Sequence, residues 1–487
     1  MARPGPNGGQ YQPLTQAQIK QIHQASLTVL ERAGLLVENE QALALYRQGG
    51  ARIDGNRVYI PPAMVEKALA QAPSKVLLAG RDPDQDVILE EKRVYAGTGG
   101  SPTMVLDPGA STVRPSTTQD LIDLVRLADT LDHCDFIVMP LHPTDIPEKD
   151  VPLNRFYACL AHSTKHIMGG AGSVESARQI IEMGTIIAGE LEALQARPFI
   201  SAITSWMVSP LQLDTGVTNI LIEWCKHGLP ISLSSAPMAG STSPVTLAGT
   251  LTQINAEQLS GVVLTQLVRP GTPVLAGYIP SVTDMRTGGY LGGAVEFGMM
   301  QAGAAQLAHF YHLPIYCSGG MTDSKVPDAQ AGYEKMATFL LAAMGGCNYI
   351  HHAIGMMTNM NATSLEQAVI DDEIVGMAMR LLRGIDVTEE TIALEAIQRV
   401  TGDRHPHYLM DAHTMQFMRS ELFHPPQADR QNRAAWEMAG QQDTRTRAIS
   451  RLEKLLRAHK PPGLPPEKEA AIRARFNILI PSPVPAL

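Results

Sequence analysis

The chain has 487 residues, 44% of them hydrophobic and 18% charged, which is enough for one large barrel with extensions or for two to three domains. A net charge of −9 without any Lys/Arg block argues against a nucleic-acid partner, and no uninterrupted apolar run is long enough to span a membrane. The five scattered cysteines (134, 159, 225, 317 and 347) never fall in metal or redox spacing and read as reduced, buried thiols; with no apolar signal segment at the start, the expected compartment is the cytoplasm.

Residues 1 to about 13 are rich in Gly, Pro and Gln and predict a flexible arm. Leu14-Thr15 opens a helical pattern carried by Ile19, Ile22, Leu27, Val29 and Leu30, and Gly34 is placed to end it. A short helix at about 39–48, a strand pair near 51–60 and a helix after Pro61-Pro62 complete an α+β preface. From residue 94 apolar strand-like runs recur at 94–99, 135–139, 166–170, 198–204, 230–236, 273–279, 314–318 and 347–352. Helix-period segments at 117–131, 151–163, 174–190, 213–227, 253–268, 291–311, 329–345 and 364–383 alternate with them. Eight such βα units predict a (β/α)8 TIM barrel, with a doubly wound open sheet as runner-up. After Gly384 the pattern is helical only, at about 388–400, 406–420 and 430–458, with Pro-rich linkers at 461–462 and 465–466 and a Pro-rich tail at 481–485. The expected division is 1–90, an N-terminal α+β extension; 91–385, the barrel; and 386–487, a helical C-terminal extension.

In a barrel the chemistry lies at the C-terminal ends of the strands. Those ends here are dominated by glycines and small hydroxyl residues, including Ser234-Ser235 and Ser318-Gly319-Gly320, which predict an open mouth suited to a large flat ligand or a partner protein. Aromatic residues are only 5% of the chain, yet Tyr95, Trp206, Tyr278, Tyr316 and Tyr349 fall on or beside strand ends, with Tyr290 and Phe297 following. Several aromatic faces around one void suit a quaternary ammonium, although aromatics in strands are also ordinary core. Trp206 and Tyr278 are the first candidates because they sit at strand ends, and Glu296 is a candidate counter-charge or a plain helix-surface acid. Ser234, Ser235 and the amides of Gly319-Gly320 are donors for a substrate carboxylate. His351 and His352 are adjacent, so on a strand they should point to opposite faces, and only one should reach the mouth. No metal site is predicted: His142, Cys317 and Asp323 could join them, but no spacing supports it. No GxSxG, P-loop, HExxH or post-strand GxGxxG occurs.

Several dispersed stretches resemble the trimethylamine methyltransferase superfamily, in its non-pyrrolysine branch. They are Leu14 to Gly34, Tyr95 to Ser101, Ser318 to Lys325, Ile350 to Gly355, and the C-terminal pattern running from Gly402 through Tyr408, His413, Met418 and Glu421 to Trp436. The resemblance implies a (β/α)8 barrel and methyl transfer from a methylated amine to the Co(I) form of a corrinoid carried by a separate cognate protein. The trimethylamine enzymes carry pyrrolysine in the loop after strand seven; here that loop holds only standard residues, Met321 and Thr322 among them. The chain is more similar to the pyrrolysine-free relatives, whose characterised members demethylate quaternary amines such as glycine betaine. On this reading His351 and His352 are the catalytic candidates, Gly319, Gly320, Met321 and Asp323 would meet the corrinoid, and the protein is expected to be a homo-oligomer. A non-catalytic quaternary-ammonium-binding barrel, a methyltransferase for another methylated amine, and a barrel lyase or transferase using Lys325 on a phosphorylated substrate are the competing readings.

Overall fold

A computed structural model describes residues 4–402 and 406–483. The first three residues of the expected arm, residues 403–405 within the C-terminal pattern, and the end of the Pro-rich tail lie outside the described residues. Eight parallel strands form the centre: β1 (Tyr95–Ala96), β2 (Phe136–Val138), β3 (His166–Gly169), β4 (Ile200–Thr204), β5 (Ile231–Ser235), β6 (Val274–Tyr278), β7 (Ile315–Ser318) and β8 (Tyr349–His351). They pair in sequence order, β8 returns to β1, and a bridge between Gly97 and Phe136 joins β1 to β2. The sheet is therefore a barrel and not an open sheet. Helices α1 (Thr118–Thr130), α2 (Val151–His162), α3 (Val174–Ala188), α4 (Thr215–Lys226), α5 (Leu247–Val268), α6 (Val295–Phe310), α7 (Ala329–Gly345) and α8 (Leu365–Arg383) surround it.

Local signals account for most boundaries. Thr117 and Asp120 form a reciprocal cap that starts α1, Asp328 caps α7 and Ser364 caps α8. Helix α5 begins at Leu247, not near 253, although Gly249 and the threonines favour helix poorly. Tertiary packing overrides that preference: the N-terminal helices Gln16–Thr28 and Pro62–Gln71 lie against α5, and Ser26 Oγ donates to the carbonyl of Thr252 at 2.9 Å.

The N-terminal end of the barrel is covered. A hairpin of Val76–Leu78 and Val87–Leu89 buries its apolar side chains with Phe136, Met168 and Leu275. From residue 4 the expected flexible arm is tied across this end, with Val94 N donating to the carbonyl of Pro6 (2.9 Å) and Gly9 N to that of Met344 (2.7 Å). Its glycines serve close backbone approach there, not freedom. The C-terminal extension is more broken than its pattern suggests. The segment at 430–458 is two helices, Arg433–Met438 and Thr444–Ala458, and the second Pro-rich linker opens a further helix, Pro466–Arg475, because proline fits the first helical position. All five cysteines are free and buried.

Candidate functional site

The parallel register sets Ser234, Gly277, Tyr316, Tyr349 and Tyr95 side by side around the barrel. In-register neighbours face the same side, and Tyr316 and Tyr349 share a buried cluster with Phe136 and Met168, so this is the axial face. One residue further, Ser235, Tyr278, Cys317 and Ile350 face the helices.

Along the axis the rings form a continuous column. Phe136 stacks on Tyr349 with centroids 3.4 Å apart, Tyr349 lies 5.6 Å from Tyr316, Tyr316 stacks on His351 at 4.1 Å, and His351 lies 3.6 Å from His352. Tyr316 and Tyr349 are fully buried, and neither phenolic oxygen has a hydrogen-bond partner, nor does the buried hydroxyl of Tyr290.

Both histidines end the column at the mouth, which corrects the expectation that they oppose each other. Strand β8 stops at His351, and His352 adopts a left-handed backbone (φ 68°), which returns its ring to the axial side. Gly99 makes room for the pair: a Cβ there would sit 3.0 Å from both His351 Cδ2 and His352 Cδ2. His351 Nδ1 is hydrogen-bonded to the carbonyl oxygen of Cys317, so Nδ1 must carry the proton and Nε2 the lone pair. His352 Nδ1 pairs with Ser318 Oγ at 2.7 Å. Burial pushes His351 down to about 3 and His352 well below the ordinary imidazole value, the latter with help from His351 and Lys335. Both rings are neutral at physiological pH.

The loops after β6, β7 and β8 close over this tip. Met321 and Met356 are buried in the same cluster as Tyr316 and Phe297, with Tyr290 packed against it. A Cβ on Gly100 would meet Met356 Cε and approach His352 Cδ2 at 3.2 Å, and one on Gly292 would meet Met321 and Tyr290 together. The tip is thus surrounded by thioether and aromatic groups. Asp323 accepts from the amides of Gly292 (3.0 Å) and Gly293 (3.2 Å), latching one loop to the next; burial raises its carboxyl above the usual range. Gly319 N donates to the carbonyl of His351 (3.2 Å), and the carbonyl of Gly320 accepts from Lys335 Nζ (2.6 Å).

Several sequence candidates lie elsewhere. Tyr278 faces outward and donates to Asn255 Oδ1 of α5 at 2.8 Å. Trp206 packs against α5, where only the absence of a side chain on Gly261 admits the indole. Ser235 donates to Glu257, a buried carboxylate that also accepts from Ser209 (2.9 Å), Leu211 N and Gln253. Tyr95 is axial but lies at the opposite end, against Gly5 and beside Val87 and Asp135. Glu296 is solvent-exposed in the first turn of α6. Lys325 is exposed and donates to the carbonyl of Asp323, two residues away (2.6 Å). Of the expected aromatic cage, Tyr316 and Tyr349 remain on the axis, with Ser234 on the same face.

Three groups at the site escape sequence reasoning. Lys335 of α7 and Asp371 of α8 form a wholly buried ion pair (3.2 Å); Lys335 holds the Gly320 carbonyl and Asp371 accepts from Gly355 N (2.7 Å), so the pair fixes the loops on either side of the histidines. Burial drives Asp371 up to about 6 and Lys335 downward. Arg155 is buried in α2, where burial brings its guanidinium down to about 10. An arginine inside a twelve-residue helix of otherwise mostly apolar residues was the one available signal; Lys335 and Asp371 look like solvated helix charges. Among the described residues no cluster of His, Cys, Asp and Glu could hold a metal ion, and no helix is long and apolar enough to cross a membrane.

The family model described as "Trimethylamine methyltransferase (MTTB)" matches residues 4–477. The chain is 34% identical over 455 residues to the "Trimethylamine methyltransferase MttB" of Desulfitobacterium hafniense DCB-2, covering 93% of this chain and 91% of that one. It is 33% identical over 466 residues to the "Glycine betaine methyltransferase" of D. hafniense Y51, covering 95% and 96%. Among solved structures, dihydropteroate synthase from Stenotrophomonas maltophilia aligns with a TM-score of 0.38 at 8% identity, over 62% of this chain and 97% of that one, too distant to bear on the site.

Proposed function

The chain belongs to the trimethylamine methyltransferase family, and on that premise we propose that it moves a methyl group from a quaternary amine of the betaine type to a corrinoid carried by a partner protein. The observation that carries this reading is the ring column ending in two neutral histidines under Met321, Met356 and Tyr290. A quaternary ammonium cannot donate or accept a hydrogen bond, so thioether and aromatic faces are what can hold it. Its departing amine is neutral and needs no proton.

The reduced corrinoid would supply the nucleophile for the methyl carbon. The chain's own residues then have three tasks: to hold the cation at the tip, to aim one methyl group out of the mouth, and to keep water away. Neutral imidazoles suit the first, since a charged ring would repel the cation. Gly319, Gly320, Met321 and the two histidines lie buried beneath the loops after β6, β7 and β8 and not in the open mouth expected from the strand ends, so a flat macrocycle would reach them only once those loops part.

The expected homo-oligomer has a different surface. Val387, Leu394, Leu409, Met410 and Leu422 are exposed in the C-terminal extension, as is Ile385 just before it. This segment is anchored at the barrel's N-terminal end, where Arg380 holds Glu421 and Phe423 meets His133. A carrier that comes and goes must reach the opposite end, and transient interfaces are more polar; exposed apolar side chains on this segment fit a lasting contact with a second copy.

The deciding experiment incubates the protein with a panel of quaternary amines and reduced free corrinoid and follows the Co(I) absorbance band. Substrate-dependent loss of the band supports the transferase. Tight binding without loss of the band would identify a non-catalytic binder instead.

A further inference from the structure

Arg155 holds a charge that the protein does not neutralise. Its Nη2 donates to Ser101 Oγ and to the carbonyl of Met139 (3.3 Å), at the ends of β1 and β2. Its Nε is buried without a partner, and no carboxylate forms an ion pair with it among the described residues. Glu148 exerts a favourable field, but that side chain is exposed and hydrogen-bonded by His142 Nε2 at 3.0 Å. A guanidinium has five N–H donors in a fixed fork, and two neutral acceptors leave its charge uncompensated. Buried cations in proteins are usually paired, because desolvation without a counter-charge is costly. The location adds to this. Ser101 follows Gly99 and Gly100, the two residues packed against His351 and His352. The unneutralised cation therefore lies beside the mouth segment that touches the tip of the ring column.

We propose that Arg155 receives the carboxylate of the substrate, so that the site selects zwitterionic quaternary amines over cations of similar shape. This rests on the reading above and supplies the second pole of the ligand: ammonium at the tip of the column among Tyr290, Met321 and Met356, carboxylate on the guanidinium fork. In the same low-dielectric mouth, Arg155 repels a quaternary ammonium that brings no anion of its own.

The test is calorimetric titration of the full-length protein with glycine betaine and with choline, which carries a hydroxymethyl group in place of the carboxylate. Wild type should bind glycine betaine at least about 30-fold more tightly than choline, the range for losing one partner of a buried charge pair. Arg155→Gln should erase that preference, weakening glycine betaine by a similar factor and leaving choline unchanged or tighter. Arg155→Lys, which keeps the charge but not the fork, should retain part of it, and decides the matter if Arg155→Gln does not fold. A wild type that binds choline as tightly as glycine betaine overturns the assignment and leaves the quaternary-amine reading standing. Equal weakening of both ligands by Arg155→Gln reduces Arg155 to a structural residue and also overturns it. A wild type that binds neither ligand overturns the assignment, while the quaternary-amine reading stands or falls with the wider panel.

Discussion

His351 and His352 are consecutive, yet their ring centroids lie 3.6 Å apart on the same side of the chain. The left-handed backbone at His352 brings this about, and Ser318 Oγ holds the result in place. Two adjacent neutral imidazoles thus share one exit from the barrel. His352→Ala is expected to lower substrate-dependent Co(I) methylation at least about tenfold per folded molecule while changing glycine betaine affinity by less than about threefold, the signature of a group that acts beyond ground-state binding. Activity per folded molecule unaltered, with stability reduced, would make the histidine structural.

The same burial fixes a pH response. His351 is pushed down to about 3, against about 6.5 in the unfolded chain, and His166 and His309 are pushed to about 4. A histidine depressed in the folded state contributes stability that is complete above about pH 6.5. That stability is lost as pH falls toward the folded value, because the unfolded chain takes up the proton first. Asp371, raised to about 6, opposes this in part, since the folded state gains its proton before the unfolded one does. Melting temperature should fall from pH 7 to pH 4.5, while the rate of methyl transfer between pH 6 and 8 shows no inflection from either site histidine. An activity step near pH 6.5 that disappears in His352→Ala would contradict a neutral, buried ring.

The cage prediction moves with the structure. The stacked rings fill the axis, so the proposed cation would sit at the tip, beside Tyr290, Met321 and Met356. Tyr290→Leu should weaken binding of tetramethylammonium roughly 30-fold, for a contact of about 2 kcal/mol in a dry site. Tyr278→Phe and Trp206→Phe, which face α5, should bind as wild type does. Calorimetry on the three variants separates the two surfaces.

How much of this the sequence disclosed depends on parity. Strand periodicity and spacing located all eight strands, because buried parallel strands are short apolar runs between helices. Which side each residue takes was not legible, because a shift of one position exchanges the two faces. Tyr278 follows axial Gly277 and Ser235 follows axial Ser234, so both turn outward. His352 escapes that rule only through its backbone conformation, and nothing in a His-His pair announces it. Lys335 and Asp371 meet across two helices, a contact without any local mark.

That pair offers its own test. Lys335→Met leaves Asp371 buried without its cation, although a carboxyl already raised to about 6 can take a proton to limit the damage. The unfolding free energy should drop by about 3 kcal/mol, the lower end for breaking a buried pair. The double variant Lys335→Met, Asp371→Leu should recover stability but not methyl transfer, because the Gly320 carbonyl and the Gly355 amide lose their holders. Denaturant melts alongside the Co(I) assay distinguish this from a pair that serves stability alone, for which both properties would return together.

The exposed apolar side chains of the C-terminal extension predict association. Leu409→Glu with Met410→Glu should shift the particle toward the mass of a single chain in light scattering, with the fold intact by circular dichroism. An unchanged mass would locate the contact elsewhere.

The anchoring of Glu421 and Phe423 at the hairpin-covered end of the barrel has a consequence for traffic. On the proposed association, copies joined through that end would present every mouth outward, so that no subunit would stand in the path of another's visitor. Each proposed carrier protein could then be loaded without waiting for its neighbours. Turnover should rise in simple proportion to the number of subunits, with a Hill coefficient of about 1 for the carrier, as independent sites require.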